Sequence, residues 1–234
     1  MEVIRNTIFA AVLALMPLAA SGQDFDARWA AYERGDFDVA LKEWRPLAEH
    51  GDADAQFNLG MMYDNGQGVP QDNAEAMRWF RLAAKQGVAL AQYYLGRMYA
   101  YGQGVPQDHA EAVRWYRLAE EQGDANAQFN LGLMYANGQG VPQDHAEAAR
   151  WYRLAAEQGD ADAQSNLGVM YGFGQGVPQD YVTAHMWFNS AAADGVSGAA
   201  DNRDFAASKM TAADISEAQR RAGVCLKSGY SDCD

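Results

Sequence analysis

The chain has 234 residues and a formal charge of −13, from 18 Lys and Arg against 31 Asp and Glu. That acidity argues against a nucleic-acid partner and against docking on anionic lipid, both of which need clustered Lys and Arg. Two cysteines are too few for a disulfide framework or a zinc-finger ligand set, while 49% hydrophobic and 12% aromatic residues suffice for a packed core.

Residues 1–22 read as an export signal. Arg5 places positive charge near the amino end, Ile8 to Met16 is an unbroken apolar run, and Pro17 breaks any helix. Ala20-Ser21-Gly22 then offers the small residues that signal peptidase accepts. The apolar stretch from Ile8 to Ala20 is too short for a membrane span, which needs about 17–25 residues. No cysteine follows the cleavage region, so a lipid anchor is not expected there. The expected mature chain starts near Gln23, in the periplasm or outside the cell, with no membrane insertion after cleavage.

Residues 23–51 read as a helical hairpin that caps a stack. Trp29 and Tyr32 mark one helix, Gly35-Asp36 the turn, and Ala40, Trp44 and Ala48 the other.

From residue 52 the chain repeats. Leu59-Gly60-Met61-Met62-Tyr63 returns as Leu95-Gly96-Arg97-Met98-Tyr99, Leu131-Gly132-Leu133-Met134-Tyr135 and Leu167-Gly168-Val169-Met170-Tyr171, a step of 36 residues each time. The loop that starts at Gly66 with Gly-Gln-Gly-Val-Pro-Gln-Asp returns in register from Gly102, Gly138 and Gly174. Trp79, Trp115, Trp151 and Trp187 keep the same spacing. Four units follow: 52–87, 88–123, 124–159 and 160–195.

Each unit reads as two helices. In the first, from about Ala53 to Tyr63, residues Ala55, Leu59, Met62 and Tyr63 form one apolar stripe. Gly66 and Gly68 end it, because glycine accepts the left-handed backbone of a helix exit. Asp72 is the expected N-cap of the second helix, and Glu75 three residues on completes a capping-box pattern. Asp108 with Glu111 and Asp144 with Glu147 repeat it, whereas the fourth unit has Thr183 after Asp180. The second helix is expected to bury Ala76, Trp79, Phe80, Ala83 and Ala84. A hairpin of this size cannot bury its own stripe but a stack can, so the fold class is an all-α solenoid of antiparallel helix pairs. Gly60, Gly96, Gly132 and Gly168 cost about 1 kcal/mol each relative to Ala inside a helix, which predicts a neighbouring helix backbone crossing closely at each.

The pattern Ala-Gln-x-x-Leu-Gly-x-x-Tyr, Gly-x-Gly-Val-x-x-Asp and Ala-x-x-Trp-x-x-x-Ala-Ala resembles the Sel1-like repeats over residues 52–195. These are relatives of the tetratricopeptide repeat with a longer connecting loop. The resemblance implies a right-handed superhelix that acts as an adaptor, often in bacterial envelopes or secretion pathways. Cysteine-rich relatives are associated with binding or slowly hydrolysing penicillin-like compounds. They carry a cysteine pair in every repeat, and these repeats have none.

Residues 196–234 close the stack. Arg203 and Asp204 stand where the repeats have Leu and Gly, which suits a helix with a polar face. Thr211 to Asp214 reads as an N-cap with an acidic third residue, opening a helix to about Ala222. Cys225 and Cys233 lie eight positions apart, and in an oxidising compartment they most simply pair with each other.

No catalytic residues, metal ligands or cofactor are expected. The sequence holds no Gly-x-Ser-x-Gly elbow, no His-Glu-x-x-His helix and no Walker loop. The Gly-x-Gly loops follow helices, not strands, so they are turns. His50, His109, His145 and His185 are scattered and expected at the surface.

A docking face is readable by subtraction. On a helical wheel Phe57, Met61 and Asp64 point away from the core stripe. Their columns read Phe57, Tyr93, Phe129, Ser165 and Met61, Arg97, Leu133, Val169. A face turned from the core should be polar, yet this one is largely apolar, and solenoids present their inner helices along a concave surface. The second unit differs most, with Tyr94, Arg97 and Tyr101 where neighbours have Asn or apolar residues. Tyr and Arg are over-represented at binding hot spots. Phe57, Met61, Tyr93, Tyr94, Arg97, Tyr101, Phe129 and Leu133 are therefore the candidate partner-binding residues, centred on the second unit. Alanine at Tyr93 and Arg97 is expected to weaken partner capture and leave the melting temperature nearly unchanged. The expected partner is a protein or peptide, basic or neutral given the acidic field, and a sensor-kinase client is one form of it. An enzyme acting on cell-wall fragments or β-lactams, and a glycan binder using the aromatic ladder, are the alternatives.

Overall fold

The structure, a computed structural model, describes residues 29–230 and 232–233. The expected signal, residues 1–22, lies outside these. All regular elements among the described residues are helices: α1 (29–33), α2 (Phe37–Glu49), α3 (Ala53–Asn65), α4 (Asn73–Lys85), α5 (Ala89–Tyr101), α6 (His109–Glu120), α7 (Ala125–Asn137), α8 (His145–Ala156), α9 (Ala161–Phe173), α10 (Tyr181–Ala193), α11 (Ala199–Ala207) and α12 (Ala212–Lys227). No helix among the described residues is long and apolar enough to cross a membrane. Each first helix of a unit packs on the second helix of its own unit and on the second helix of the unit before, which makes one continuous stack.

The caps explain where the helices start. Asp72, Asp108 and Asp144 each accept hydrogen bonds from the second and third amides of α4, α6 and α8. The reciprocal half of the expected capping box does not form there. Glu75, Glu111 and Glu147 turn outward to Arg78, Arg114 and Arg150 one turn on, where an exposed acid finds a cation at less desolvation cost. In the fourth unit the Thr183 hydroxyl donates to Asp180 at 2.7 Å. The reciprocal box does form at Thr211 and Asp214.

The buried stripe follows the sequence pattern. Ala55, Leu59 and Met62 are sealed and Tyr63 is half-buried; Ala76, Trp79, Phe80, Ala83 and Ala84 are all buried. Trp79 joins Trp44 and Ala48 of α2, so each second helix reaches back to the preceding one. Burying such a side chain contributes about 1.5–3 kcal/mol.

The helical glycines serve a different contact from the one expected. A Cβ on Gly60, Gly96 or Gly132 would stand 2.6–2.7 Å from ring carbons of Phe80, Tyr116 or Tyr152, and Gly168 meets Phe188 in the same way. What lies over each glycine is an aromatic ring from the second helix of the same unit, not a crossing backbone. The close backbone approach occurs instead at the second loop glycine. A Cβ on Gly104 would lie 2.6 Å from the Asn73 carbonyl at the start of α4, and Gly140 and Gly176 press on His109 and His145 likewise.

Two polar ladders run along the stack, the first between neighbouring units and the second inside each unit. Arg81 donates to the Tyr99 hydroxyl at 3.2 Å and Arg117 to Tyr135 at 2.7 Å, with Arg153 and Tyr171 paired in register. Gln86, Gln122 and Gln158 donate to the carboxamides of Gln56, Gln92 and Gln128, each at 2.8 Å. Gln56 and Gln92 in turn donate to Ala48 and Ala84 carbonyls at the end of the previous second helix, a second donor beside the Gly51 and Gly87 amides that those carbonyls already accept.

Candidate functional site

The α3, α5, α7 and α9 columns predicted to face a groove are neither open nor sealed. Phe57, Met61, Tyr93, Tyr94, Arg97, Phe129 and Leu133 are all half-buried, and Tyr101 alone of the eight is exposed, at 65%. The aromatic members pack into the stack. Phe57 lies 5.7 Å from Phe80 and 5.8 Å from Tyr94, Tyr94 stacks on Phe80 at 5.1 Å, and Phe129 lies 6.0 Å from Tyr152. Tyr93 sits 6.0 Å from the buried Tyr116, and burial raises its phenol above the ordinary value.

Arg97 is committed within the stack. It donates to Asp64 at 2.6 Å, with the Asp64 side chain only 8% exposed, and lies 4.5 Å over the Tyr94 ring. Asp64, expected to face away, is thus buried by its neighbour unit. Arg97 clamps the first repeat to the second, so the expectation that its removal leaves stability untouched does not hold.

One junction further the same positions make an opening. The column of Asp64 reads Ala100, Ala136 and Gly172, and Tyr94 and Arg97 correspond to Asn130 and Leu133. With a methyl where the carboxylate was, a recess of about 240 Å³ remains, its floor Ala100, Leu133 and Met134 and its wall Tyr101. The rim carries His109, Asn130, Asn137, Gln107 and Gln139. The Asn130 amide donates to the Asn126 carbonyl at 2.8 Å, and the His109 Nδ1 is buried without a partner among the described residues. No Asp, Glu, Lys or Arg lines the recess, which is an amide-rimmed apolar pocket. Tyr101 and Leu133 were legible from the sequence. Ala100, His109 and Asn130 were missed, and the signal that could have found them is the change from Asp to Ala in the Asp64 column.

Elsewhere on this side, Phe173 and Phe205 stack at 6.2 Å and are 60% and 47% exposed. Of the four histidines expected at the surface, His50 meets the expectation and His185 departs most from it. His50 is exposed, His109 and His145 are half-buried, and His185 is 3% exposed between α10 and its packing partners. Desolvation lowers the His185 pKa, Arg203 lowers it further, and Asp204 opposes both. Cys225 and Cys233 form the expected disulfide, with Cα atoms 4.4 Å apart.

Comparison with known proteins agrees with this architecture. The Sel1 repeat family profile matches residues 53–88, 89–124, 125–160 and 161–196. The structure is similar to a protective antigen of uropathogenic Escherichia coli strains with an SLR fold, at TM-score 0.76 and 36% identity over 82% of this chain. The match spans only 42% of that antigen's length. A Sel1 repeat protein from Oxalobacter formigenes aligns at TM-score 0.70 and 36% identity, covering 74% of this chain and 71% of that one. A Klebsiella pneumoniae protein shares the fold at 22% identity and TM-score 0.51, over 79% of this chain and 91% of its own. The comparison with curated proteins gives no match.

Proposed function

The chain belongs to the Sel1 repeat family, and from that premise we propose that it is an exported scaffold that docks a basic or neutral peptide segment on its first-helix face. Family membership makes it a repeat scaffold of a kind that commonly joins proteins. The observation that carries the finer reading is the recess between α5 and α7, where an exposed tyrosine stands beside an apolar floor. A side chain inserted there leaves water for Leu133 and Met134, while the peptide backbone beside it meets carboxamides that both donate and accept. The lining holds no Asp, Glu, Lys or Arg and the chain carries −13, so the field favours cationic or uncharged segments in encounter and disfavours acidic ones. The apolar run of residues 8–16 and the disulfide of the last helix support the periplasm or the cell exterior as its place of work. Control of an envelope sensor kinase or a secretion system would use the same face on a particular client.

The test is capture of partners from envelope extract on immobilised full chain. Tyr101→Ala removes an exposed ring with little packing, so stability should move by no more than about 0.5 kcal/mol while capture falls at least severalfold. Unchanged capture, or a partner set that is acidic, would overturn the assignment. A chromogenic β-lactam and a glycan array run beside it decide between docking and the two alternatives.

A further inference from the structure

The glutamine ladder breaks at the fourth repeat. The position filled by Gln86, Gln122 and Gln158 is Asp194 in the last unit, and an aspartate has no amide with which to donate to Gln164. Gln164 is fully buried, and its side-chain oxygen has no hydrogen-bond partner among the described residues. In the earlier units the ladder glutamine also reaches a turn: Gln86 donates to the Gly51 carbonyl and Gln158 to that of Gly123. The corresponding turn for position 194 is Gly159.

Tyr230 occupies that place. Its hydroxyl donates to Asp194 at 2.8 Å, and its ring lies 3.2 Å from where a Cβ on Gly159 would stand. The matching glycines Gly87, Gly123 and Gly195 have open space at the same point. The residue comes from outside the repeats and is carried by the loop that the Cys225–Cys233 disulfide closes. It is also the one non-glycine residue among those described with positive φ, at 68°, with its amide donating to the Cys225 carbonyl at 2.8 Å. An L residue resists that backbone conformation unless its surroundings hold it.

We propose that the Cys225–Cys233 disulfide is a redox-released clasp, holding Tyr230 as a substitute rung that fixes the end of the fourth repeat. A dithiol reductant opens it. Its thiolate attacks the sulfur of the half-buried Cys233, the Cys225–Cys233 bond breaks, and the buried Cys225 leaves as thiolate and takes up a proton. The second thiol of the reductant then displaces Cys233, which is likewise protonated, and the reductant ends as its own disulfide. Two electrons and two protons have passed to the protein. Without the closed loop, Tyr230 relaxes from its left-handed geometry and leaves Asp194 and Gly159 to water.

Amide hydrogen exchange on the full chain, with and without dithiothreitol, reads this directly. Segments 158–166 and 190–197 should exchange about tenfold faster after reduction, as expected for local opening that costs one buried contact and one hydrogen bond. Segment 122–130, two helices away from the clasp, should not change. Tyr230→Ala with the disulfide intact should reproduce the reduced pattern in the same two segments. Faster exchange confined to 226–233, an equal rise in 122–130, or a silent Tyr230→Ala would each overturn the proposal.

Discussion

The junction of the first and second repeats and that of the second and third are built on the same backbone and differ in what fills them. At the first, Asp64 and Arg97 pair across the boundary and Tyr94 stacks beneath the guanidinium. At the second, Ala100, Asn130 and Leu133 take those places and a recess remains beside Tyr101. The helices, the loop glycines and the Arg–Tyr bonds are common to both. A repeat scaffold therefore separates its two tasks by position: the columns facing the second helix keep the stack together, and three columns on the other side decide whether the surface is closed or open.

The most severe way to break the comparison is to damage what both junctions share. Gly96→Ala would ordinarily favour a helix by about 1 kcal/mol. Here the new methyl meets the Tyr116 ring at 2.6 Å, so we expect a net loss of about 1–3 kcal/mol in denaturant unfolding. A stabilised variant would show that the ring yields. Next in size, Arg97→Ala leaves the Asp64 carboxylate, 8% exposed, without its cation. Breaking a sealed pair costs several kcal/mol, and with Arg97 itself 30% exposed we expect about 1–2 kcal/mol. Leu133→Asn at the open junction should cost less, and a reversed order of the two midpoints would contradict the contrast.

Transplanting the clamp sharpens the contrast further. Ala100→Asp with Leu133→Arg should fill the recess, weaken partner capture about tenfold (about 1.4 kcal/mol) and leave unfolding close to that of the parent. Capture that survives a filled recess would move the docking site elsewhere on the face.

The smallest effect concerns the last junction, where His185 is buried and faces Arg203 and Asp204 of α11. Its folded pKa is lowered below 6.5, chiefly by desolvation. The neutral ring thus contributes stability fully present above the unfolded value and lost as pH falls through the folded one. Melting temperature should decline as pH falls below 6.5, and His185→Gln should flatten that slope. Asp124 and Asp160 have raised values from burial, so they act oppositely, gaining stability toward acid in a separate window just above 3.8. A slope unaltered by His185→Gln would assign the pH dependence to other groups.

The fold was largely legible because its determinants recur. Ala55, Leu59, Ala76 and Phe80 lie on helical spacing and return every 36 residues, so tertiary context repeats with the pattern and cannot override it locally. What lies over Gly60 was not legible, since a glycine announces a close approach without saying whether a ring or a backbone makes it. The outward face of the first helices was legible as a set of columns and not as a shape. A wheel for one helix shows Asp64 and Arg97 facing away from their own core, but it cannot show that each is covered by the other's repeat. For the same reason Ala100, the residue whose smallness makes the recess, carried no signal when read alone. His185 was misplaced because its column holds Met77, Val113 and Ala149 elsewhere, and the apolar company of that column outweighs the polarity of one member.

The rungs of the two polar ladders join residues only 18 or 30 positions apart, each reaching no further than the adjoining turn of the stack. Order can accordingly spread from coil to coil before the rest of the polypeptide has joined the stack, with no distant segment to wait for. The same arithmetic bears on the number of coils: excising residues 88–123 in frame would bring Gly87 to Asp124 and set Arg81 against Tyr135, giving a shorter ruler with the same ends, at the cost of leaving Asp64 opposite Leu133 in place of Arg97.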